Sequence, residues 1–474
     1  MEFFNWVWEQ FLGWVRGFFG LDIILKAVEA GNPIPIQGYV QVVFSSVTAL
    51  LAILQVYSFV YIIVGLFHKG RTYSSQPKDK RYGVIISAWN EEAVIADAIR
   101  SVKEQIDYPV ELIDVYVACD NCTDRTAEIA RSLGAHVYEI TEQHPRRKGN
   151  ALQILFRKMA EEMDLVESHY AYTILDADSV FCTDFFARMN DCLQEQGYDL
   201  VGAYRNAKNL GENPITALAG VQVYRNIAQS GRARSVFNTP TEVPGPGSTF
   251  RSYLLKDGWN YTQLTEDAEA LFDVLCRQNL KTGFCEAAQV YCEFPNTFKL
   301  FFRQQMRWAK GRLMVYFAQM GMRIKSFFKK PTWGKYDLFW YIFPQQIFSF
   351  YWGLTYQLIS LGLFLALGPE FYSWASFGNY FLTMVVSTYI SSFVMDVIVI
   401  IREWKKVMLS FPRTMAYLFL FPLYNIFAIP LSAISIFGFT TWRKIDHHVE
   451  QSGKSLDEFQ AKKNKKKTEN KTGE

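Results

Sequence analysis

Two aspartates that end an apolar run are the residues whose types and spacing most clearly suggest chemistry. The run Tyr172-Thr-Ile-Leu leads directly into Asp176-Ala-Asp178. Residues two apart in an extended chain project to the same side, so both carboxylates could reach one divalent cation. The same three residues also fit a turn followed by a helix cap, and alone they do not decide between these interpretations.

Two later segments carry further reactive side chains. Thr265-Glu266-Asp267 precedes a helical run, and two acids in that place suit either catalysis or the N-terminus of a helix. The segment Gln304-Gln-Met-Arg307-Trp308 combines a guanidinium with an indole, although Arg307 could simply pair with a surface acid. Each of these signals is ambiguous by itself.

Alternating strand and helix patterns must position these side chains. An apolar run from Tyr82 ends in Asn90-Glu91 before a helical pattern, and a second run, Leu112 to Val117, leads to the loop at Asp120. A third strand is predicted over Ala135 to Ile140. Such alternation gives a parallel sheet, whose ligands bind beyond the carboxyl ends of the strands. No Gly-rich phosphate loop follows the first strand, so a nucleotide would be held differently from a dinucleotide in a Rossmann fold.

The order of these motifs resembles the membrane-embedded family 2 glycosyltransferases, which include cellulose, hyaluronan and poly-N-acetylglucosamine synthases. The resemblance covers nearly the whole chain. It rests on Asn90-Glu91, Asp120, Lys148-Gly-Asn, Asp176-x-Asp178, Thr265-Glu266-Asp267 and Gln304-x-x-Arg307-Trp308. It implies an α/β GT-A-type cytoplasmic domain with a mostly parallel sheet, inserted between transmembrane helices, with in-plane amphipathic helices beside it.

The resemblance also implies a role for each matched residue. The catalytic set would be Asp267 as general base, with Glu266 and Asp178. The nucleotide would be bound by Asn90, Glu91, Asp120, Arg147, Lys148 and Asp176. Asp178, with Asp176, would hold Mg²⁺ or Mn²⁺. The acceptor sugar and diphosphate would meet Gln304, Arg307, Trp308 and Ser248, together with Trp442 and Lys444 of an aromatic and basic gating segment.

The activity implied is inverting transfer of glucose or N-acetylglucosamine from a UDP-sugar. A divalent cation and a guanidinium would offset the charge of the departing UDP, and a carboxylate would take the proton of the acceptor hydroxyl. One expected product is a β-linked glycan, elongated processively and moved across the membrane. The alternative is one sugar added to a lipid acceptor. An inactive scaffold is disfavoured by the intact acids.

The composition agrees with a membrane enzyme. Of 474 residues, 50% are hydrophobic and 20% charged, and 49 Lys and Arg against 46 Asp and Glu give a net charge of +3, which excludes a typical nucleic-acid binder. Four stretches lack charged residues and exceed the roughly 20 residues that span a bilayer. They are Tyr39 to Phe67, Leu338 to Pro369, Phe371 to Met395 and Thr414 to Trp442.

These stretches predict the domain boundaries. Residues 1–37 form an interfacial amphipathic helix, 38–68 a transmembrane helix, 69–311 the cytoplasmic GT-A domain, 312–343 interfacial helices, 344–442 a C-terminal transmembrane region and 443–474 a basic cytoplasmic tail. Clusters of Lys and Arg predict that the domain and the tail lie on the cytoplasmic side of the cell membrane, which the chain crosses several times. A cytoplasmic tail requires that the last stretch, interrupted by Pro422 and Pro430, be bent or return as a hairpin.

Several remaining features carry less weight. The prolines around Gly245 leave the geometry of the acceptor loop open. Cys119-x-x-Cys122 matches half of a zinc or redox motif, but no second pair follows at metal-ligand spacing. The pair His447-His448 is interpreted as solvated. Donor sugar, linkage, oligomeric state and regulators stay undetermined at this level.

Overall fold

A computed structural model gives the structure of the chain and describes residues 9–10, 12–13, 15–17, 19–33, 35–241, 245–278, 280–368, 373–438, 453, 455–458 and 460–461. The strands are β1 Tyr82–Ala88, β2 Ile113–Asp120, β3 His136–Ile140, β4 Ala171–Asp176, β5 Val180–Phe181, β6 Leu200–Ala207, β7 Thr249–Arg251 and β8 Thr282–Cys292.

The α-helices are numbered in chain order. Those up to the end of the sheet are α1 Leu21–Glu29, α2 Ile36–Gln55, α3 Ser58–Phe67, α4 Ile95–Lys103, α5 Thr126–Ser132, α6 Lys148–Glu162, α7 Leu165–Ser168, α8 Phe185–Gln196, α9 Pro214–Asn226, α10 Arg232–Phe237 and α11 Glu266–Phe272. Those after it are α12 Phe298–Ala318, α13 Met320–Lys329, α14 Trp333–Tyr341, α15 Gln345–Leu367, α16 Trp374–Glu403, α17 Phe411–Leu418 and α18 Leu423–Ile434.

The strands form one sheet in the order β3-β2-β1-β4-β7-β6-β8-β5. The first four strands are parallel, as expected from the alternating pattern. The short strand β7 runs antiparallel between β4 and β6, and β5 runs antiparallel to β8. Strand β8 pairs parallel with β6, so six of the eight strands run in one direction and the sheet is mixed but mostly parallel. The sequence patterns missed β5 and β7 because these two- and three-residue strands lack the alternation that would have marked them.

The register of the central strands aligns their carboxyl ends. Ala88 of β1 lies opposite Cys119 of β2, and Ser87 lies opposite Asp176 of β4. Because parallel strands end at the same edge, the loops that follow β1, β2 and β4 meet there. The structure thus brings three predicted motif positions to one edge of the sheet.

Helices cover both faces of the sheet. Val84 and Ile86 of β1 belong to a core cluster with residues of α4 and α8, whereas Ile85 belongs to a second cluster with Leu155 and Phe156 of α6. Successive side chains of a strand point to opposite faces, so a strand buried on both sides reads as a continuous apolar run. This explains why β1 lacks polar residues before its end.

Within the described part of the chain, three helices are long and apolar enough to cross a membrane: α2, α15 and α16. The predicted single helix over 38–68 is wrong in detail, since α2 ends at Gln55 and α3 begins at Ser58. In the last apolar stretch, α17 and α18 meet at an angle of 52°, which agrees with the bend expected from its prolines. Pro422 is the residue before α18, while Pro430 lies within it.

The chain separates into two compact units. One comprises Met1–Val60 and Gln345–Tyr389, and within it Trp352 of α15 packs on Phe44 of α2 with ring centroids 4.3 Å apart. The other comprises Tyr61–Pro344 and Ile390–Glu474 and contains the whole sheet. Within this second unit, Tyr424 of α18 donates a hydrogen bond to Gln305 of α12 over 2.8 Å.

Candidate functional site

A cavity of about 230 Å³ opens at the carboxyl edge of the sheet. Eleven of the predicted site residues line it: Glu91, Asp120, Arg147, Lys148, Asp176, Asp178, Glu266, Asp267, Gln304, Arg307 and Trp308. They come from six separate segments between residues 91 and 308, so only the tertiary fold could bring them together.

The two aspartates of the Asp176-Ala-Asp178 motif reach the cavity by different means. Asp176 is the last residue of β4, whereas Asp178 lies in the turn that follows. Ser179 closes this turn, because its backbone N–H donates to the Asp176 carbonyl over 3.0 Å and its hydroxyl donates to Asp178 Oδ1 over 2.8 Å. The expected alternation along an extended strand is therefore wrong as the reason for their proximity, although both carboxylates face the cavity.

Lys148 is the cation that holds the acidic groups together. It stands at the first turn of α6, donates a hydrogen bond to Asp176 and lies 3.9 Å from Glu266. Burial lowers the pKa of Lys148, but the charges of Asp176 and Glu266 outweigh it and raise that pKa. Burial likewise raises the pKa of Asp176, and Lys148 more than reverses the effect. Both groups are therefore charged at neutral pH.

Glu266 and Asp267 open helix α11 as predicted. Burial, with Asp267 beside it, raises the pKa of Glu266 to about 7 against the opposing charge of Lys148. Asp267 Oδ1 accepts a hydrogen bond from the backbone N–H of Ala268 over 2.8 Å. Thr265 stands at the N-cap but its hydroxyl makes no cap hydrogen bond, so the acids are not part of a side-chain cap formed by this threonine.

Helix α12 presents the residues of the Gln304-x-x-Arg307-Trp308 motif. Thr297 begins the helix by accepting from the Leu300 N–H over 3.4 Å. Positions three and four apart share one helical face, so Gln304, Arg307 and Trp308 all line the cavity. Gly311 lets this helix approach α11 closely, since a Cβ at that position would lie 2.5 Å from Cγ2 of Thr265.

Asn90 supports the cavity without lining it. Its backbone has a φ of 56°, a left-handed conformation that asparagine tolerates well. Its side chain accepts from the Thr123 N–H over 2.7 Å, which joins the loop after β1 to the loop after β2. Glu91 and Asp120 are thereby held at the same end of the cavity.

The other residues predicted for the acceptor site are Ser248, Trp442 and Lys444, and only Ser248 is among the described residues. Ser248 is buried, and its carbonyl accepts from the Ile174 N–H over 2.8 Å, while Gly245 and Pro246 of the same loop line the cavity. Trp442 and Lys444 lie outside the described residues. Their roles stay predictions.

The structure also adds residues that the sequence patterns missed. His144 Nε2 lies 2.9 Å from Asp120 Oδ1, and Arg146 stacks on Trp89, with its guanidinium carbon 4.7 Å from the ring centroid. Arg205, at the end of β6, lines the cavity beside Trp308. No sequence motif marks these positions. The strand order, had it been known, would have indicated that Arg205 lies near the cavity.

The charges around the cavity suit a divalent cation together with an anionic substrate. Seven carboxylates line the cavity against five Lys and Arg side chains, which leaves an excess of negative charge. Among the described residues, no group of three or more His, Cys, Asp and Glu side chains forms a complete metal site. Mg²⁺ is commonly held by one or two carboxylates plus substrate phosphates, and the half-buried pair Asp176 and Asp178 at the cavity wall fits that arrangement.

Comparisons with known proteins agree with this geometry. Residues 78–311 match the family described as Glycosyltransferase like family 2. The chain is 25% identical over 279 residues to the probable glycosyltransferase YdaM of Bacillus subtilis, covering 57% of this chain and 63% of that protein. It is 24% identical over 267 residues to the beta-monoglucosyldiacylglycerol synthase of Nostoc sp., covering 55% of this chain and 56% of that protein.

One solved structure shares the fold. The mannosyltransferase PcManGT of Pyrobaculum calidifontis, solved with GDP-Man and Mn²⁺, superposes with a TM-score of 0.52 at 16% identity and covers 82% of this chain and 97% of that one. The chain spans less than two thirds of the length of the Bacillus and Nostoc relatives. Residues 78–311 are thus similar to glycosyltransferase family 2 domains, and the fold is of the GT-A type.

Proposed function

We propose that the chain is a membrane-bound, inverting glycosyltransferase that transfers glucose or N-acetylglucosamine from a UDP-sugar. The observation that carries this proposal is the convergence of Asp120, Asp178, Asp267, Arg307 and Trp308 on one cavity. These residues are distant in sequence and match the family motifs in order. The domain match over 78–311 supports the same reaction class.

Within the cavity, the two ends take different parts of the donor. Glu91 and Asp120 offer hydrogen-bond acceptors to the nucleoside, and Arg147 and Lys148 add positive charge to the same cavity, where Lys148 contacts Asp176. The Arg307 guanidinium suits two phosphate oxygens, and the planar Trp308 indole suits the apolar face of a pyranose. Asp178, with Asp176, would hold Mg²⁺ or Mn²⁺.

The proposed reaction is a single displacement. The acceptor hydroxyl attacks the anomeric carbon, the bond from that carbon to the UDP oxygen breaks, and its electron pair leaves with UDP. Asp267 takes the hydroxyl proton, which contributes on the order of 10² to 10⁴ in rate. An α-linked donor therefore gives a β-glycoside. When bound, the divalent cation would neutralise charge that develops on the diphosphate.

Two acceptor classes fit this site. A growing β-linked glycan, elongated processively and translocated, is supported by the Gln304-x-x-Arg307-Trp308 motif and the apolar helices that follow the domain. A lipid acceptor for a single sugar is supported by aromatic side chains beside that motif helix. Phe298 of α12 packs on Phe427 of α18 with centroids 5.8 Å apart, and both rings are exposed.

The boundaries predicted from the sequence are part of the proposal. The domain over 69–311 faces the cytoplasm, the helices over 312–343 lie in the interface, and the apolar helices anchor the chain in the cell membrane. The helix α12 runs unbroken across residues 311 and 312, so the motif helix itself joins the domain to the interfacial region.

The test is a donor and product screen on purified protein. UDP-glucose, UDP-N-acetylglucosamine and GDP-mannose are supplied with Mn²⁺, membrane lipid and a labelled sugar. A labelled polymer that stays at the top of a gel, and that yields only β-linked oligosaccharides when it is digested, supports the polysaccharide synthase. A labelled product that is soluble in chloroform supports transfer to a lipid acceptor. Transfer from GDP-mannose alone, or α-linked product, would refute the UDP-sugar or the inverting assignment.

A further inference from the structure

We propose that Arg205 binds the diphosphate of the donor, as a basic residue additional to those that the motifs supply. The inference rests on the proposed function, because it assumes a nucleoside diphosphate sugar in the cavity. Arg205 lies within the matched region 78–311 but belongs to none of the motifs found in the sequence.

The position of Arg205 follows from the sheet order. Strand β6 is antiparallel to β7, which is antiparallel to β4, so β6 and β4 run in the same direction. Their carboxyl ends therefore lie at the same edge. Arg205, two residues before the end of β6, lines the cavity with Asp178 and Arg307.

Two aromatic rings hold the guanidinium in place. Its central carbon lies 5.5 Å from the centroid of Trp308 and 5.8 Å from that of Phe294. Stacking against rings restricts the side chain while it leaves the edges of the guanidinium for other partners. The side chain is thus ordered before a ligand arrives.

The same guanidinium lacks an anionic partner in the described part of the chain. Its Nε is buried without a hydrogen-bond partner, and none of the ion pairs among described residues includes Arg205. Lys148 differs, because Asp176 already occupies it. A partly buried charge without a partner is costly, and an anion bound in the cavity would remove that cost.

The neighbours of Arg205 indicate which anion this is. Lys208, the residue after β6, lies with its Nζ 3.5 Å from the Asp178 carbonyl oxygen, so the carboxyl end of β6 lies beside the turn that carries the proposed metal ligand. Arg205 therefore faces the Asp176 and Asp178 side of the cavity, where the metal and diphosphate would lie, and its fork matches phosphate oxygens.

The test compares nucleotides that differ by one phosphate. Affinities of the purified protein for UDP and UMP are measured with Mn²⁺ for the wild type, Arg205→Gln and Arg205→Lys. We expect Arg205→Gln to weaken UDP binding by about tenfold or more and UMP binding by less than about twofold, with Arg205→Lys in between. Because lysine keeps the charge and most of the stem, it remains informative if the glutamine variant does not fold.

The control is Arg251→Gln. Arg251 also stacks on an aromatic ring, 3.9 Å from the Tyr170 centroid, and its Nε also has no partner, but it does not line the cavity. We expect this variant to bind UDP and UMP as the wild type does.

Other outcomes would overturn the inference. They are UDP affinity unchanged in both Arg205 variants, an equal loss of UDP and UMP affinity, or a change confined to the KM of a phosphorylated acceptor. A wild-type protein that binds no UDP and uses no UDP-sugar would instead refute the proposed function, so the two failures are distinguishable.

Discussion

At the scale of single residues, the cavity is organised around Lys148. One ammonium group contacts Asp176 directly and lies near Glu266, so the sequence Lys148-Gly-Asn at the start of α6 connects the β4 carboxyl end to the first turn of α11. Gly149 permits this approach, since a Cβ there would lie 2.3 Å from the Tyr261 carbonyl oxygen. The residues with the strongest proposed roles are therefore coupled by charge.

Asp267→Asn tests the proposed general base. If Asp267 accepts the proton, transfer should fall by on the order of 10² or more while donor affinity changes little, because the lost interaction exists mainly in the transition state. If the acid only favours the helix N-terminus, the change should cost about 0.3 to 1 kcal/mol of stability and leave the rate nearly intact. Initial rates and UDP-sugar affinity of the purified variant separate these outcomes.

Glu269→Gln is the matched control for Asp267→Asn. Glu269 is another acid in the first turn of α11, but it does not line the cavity and accepts from the Gln263 N–H over 2.9 Å. We expect near-normal turnover in this variant. Near-normal turnover in Asp267→Asn as well would move the assignment to Glu266.

Asp178→Ala tests the proposed metal ligand. We expect transfer to be abolished and UDP affinity in Mn²⁺ to fall to the affinity measured without metal, because the carboxylate anchors the cation that bridges to the diphosphate. Titration of UDP with and without Mn²⁺ measures this. Asp184→Ala, which removes an acid paired with Arg188 outside the cavity, is the control. Retention of metal-dependent UDP binding in Asp178→Ala would exclude the role.

Glu266 should give donor binding a dependence on pH near neutrality. Its pKa of about 7 means that it gains a negative charge as the pH rises through that value, and the charge repels a diphosphate. UDP affinity of the wild type should therefore decrease, relative to Glu266→Gln, between about pH 6 and 8. The comparison removes the ionisation of UDP itself, which both proteins share. An identical pH dependence in the two proteins would contradict the prediction.

At the scale of elements, one arginine connects four segments of the sheet-containing unit. Arg232 of α10 pairs with Glu286 of β8 at 2.6 Å and with Glu403, the last residue of α16, at 2.5 Å. It also donates to the Gly65 carbonyl of α3 over 2.7 Å. Burial raises the pKa of Glu286, but Arg232 and Lys406 bring it down to about 2. Arg232 thus connects β8 to α16, which follows the domain, through ion pairs, and to α3, which precedes it, through a hydrogen bond.

Arg232→Met should destabilise the protein strongly. It leaves the buried Glu403 and the half-buried Glu286 without their main partner, and breaking a buried pair in this way costs about 3 to 5 kcal/mol. The midpoint of thermal unfolding in detergent, followed by circular dichroism, should be clearly lower than for the wild type. Arg188→Met, which removes an exposed pair with Asp184, should cost about 1 kcal/mol or less. Equal midpoints for the two variants would show that the Arg232 network is not a buried ion cluster.

At the scale of the whole molecule, the position of the C-terminal segment bears on the membrane topology. Asp457 accepts hydrogen bonds from the Thr183 N–H and hydroxyl, over 2.9 and 2.8 Å, and from the Tyr291 hydroxyl over 2.8 Å. Thr183 and Tyr291 belong to the sheet region of the family 2 domain. This contact supports the prediction that the tail and the domain share one side of the membrane.

Cysteine labelling tests that topology. We expect Thr468→Cys, in the tail, to resist a membrane-impermeant maleimide in intact cells and to react after lysis, because the topology predicted from the sequence has the bent pair α17 and α18 return to the cytoplasmic side. Ser373→Cys, between α15 and α16, should react in intact cells and serves as the exposed control. The protein without an introduced cysteine gives the background labelling of its seven native thiols, six of which are buried. Labelling of Thr468→Cys in intact cells would place the tail outside.

The sequence alone determined the features that depend on local pattern. Apolar runs gave the helices α15 and α16, buried runs gave β1, β2 and β4, and the bend at Pro422 followed from a ring that cannot continue a helix. The motif residues were found because strand ends and helix starts carry the polar groups that a parallel sheet exposes at one edge.

Only the tertiary structure decided what depends on residues far apart in the chain. The mixed strand order, with β7 between β4 and β6, places Arg205 beside Trp308, and no local pattern records that neighbour. The pairing of His144 with Asp120 and the raised pKa of Glu266 likewise arise from burial and charge across separate loops. Sequence spacing specifies which residues can lie at the edge of the sheet. The packing of the folded chain specifies which of them come into contact, and burial and neighbouring charges then set their protonation.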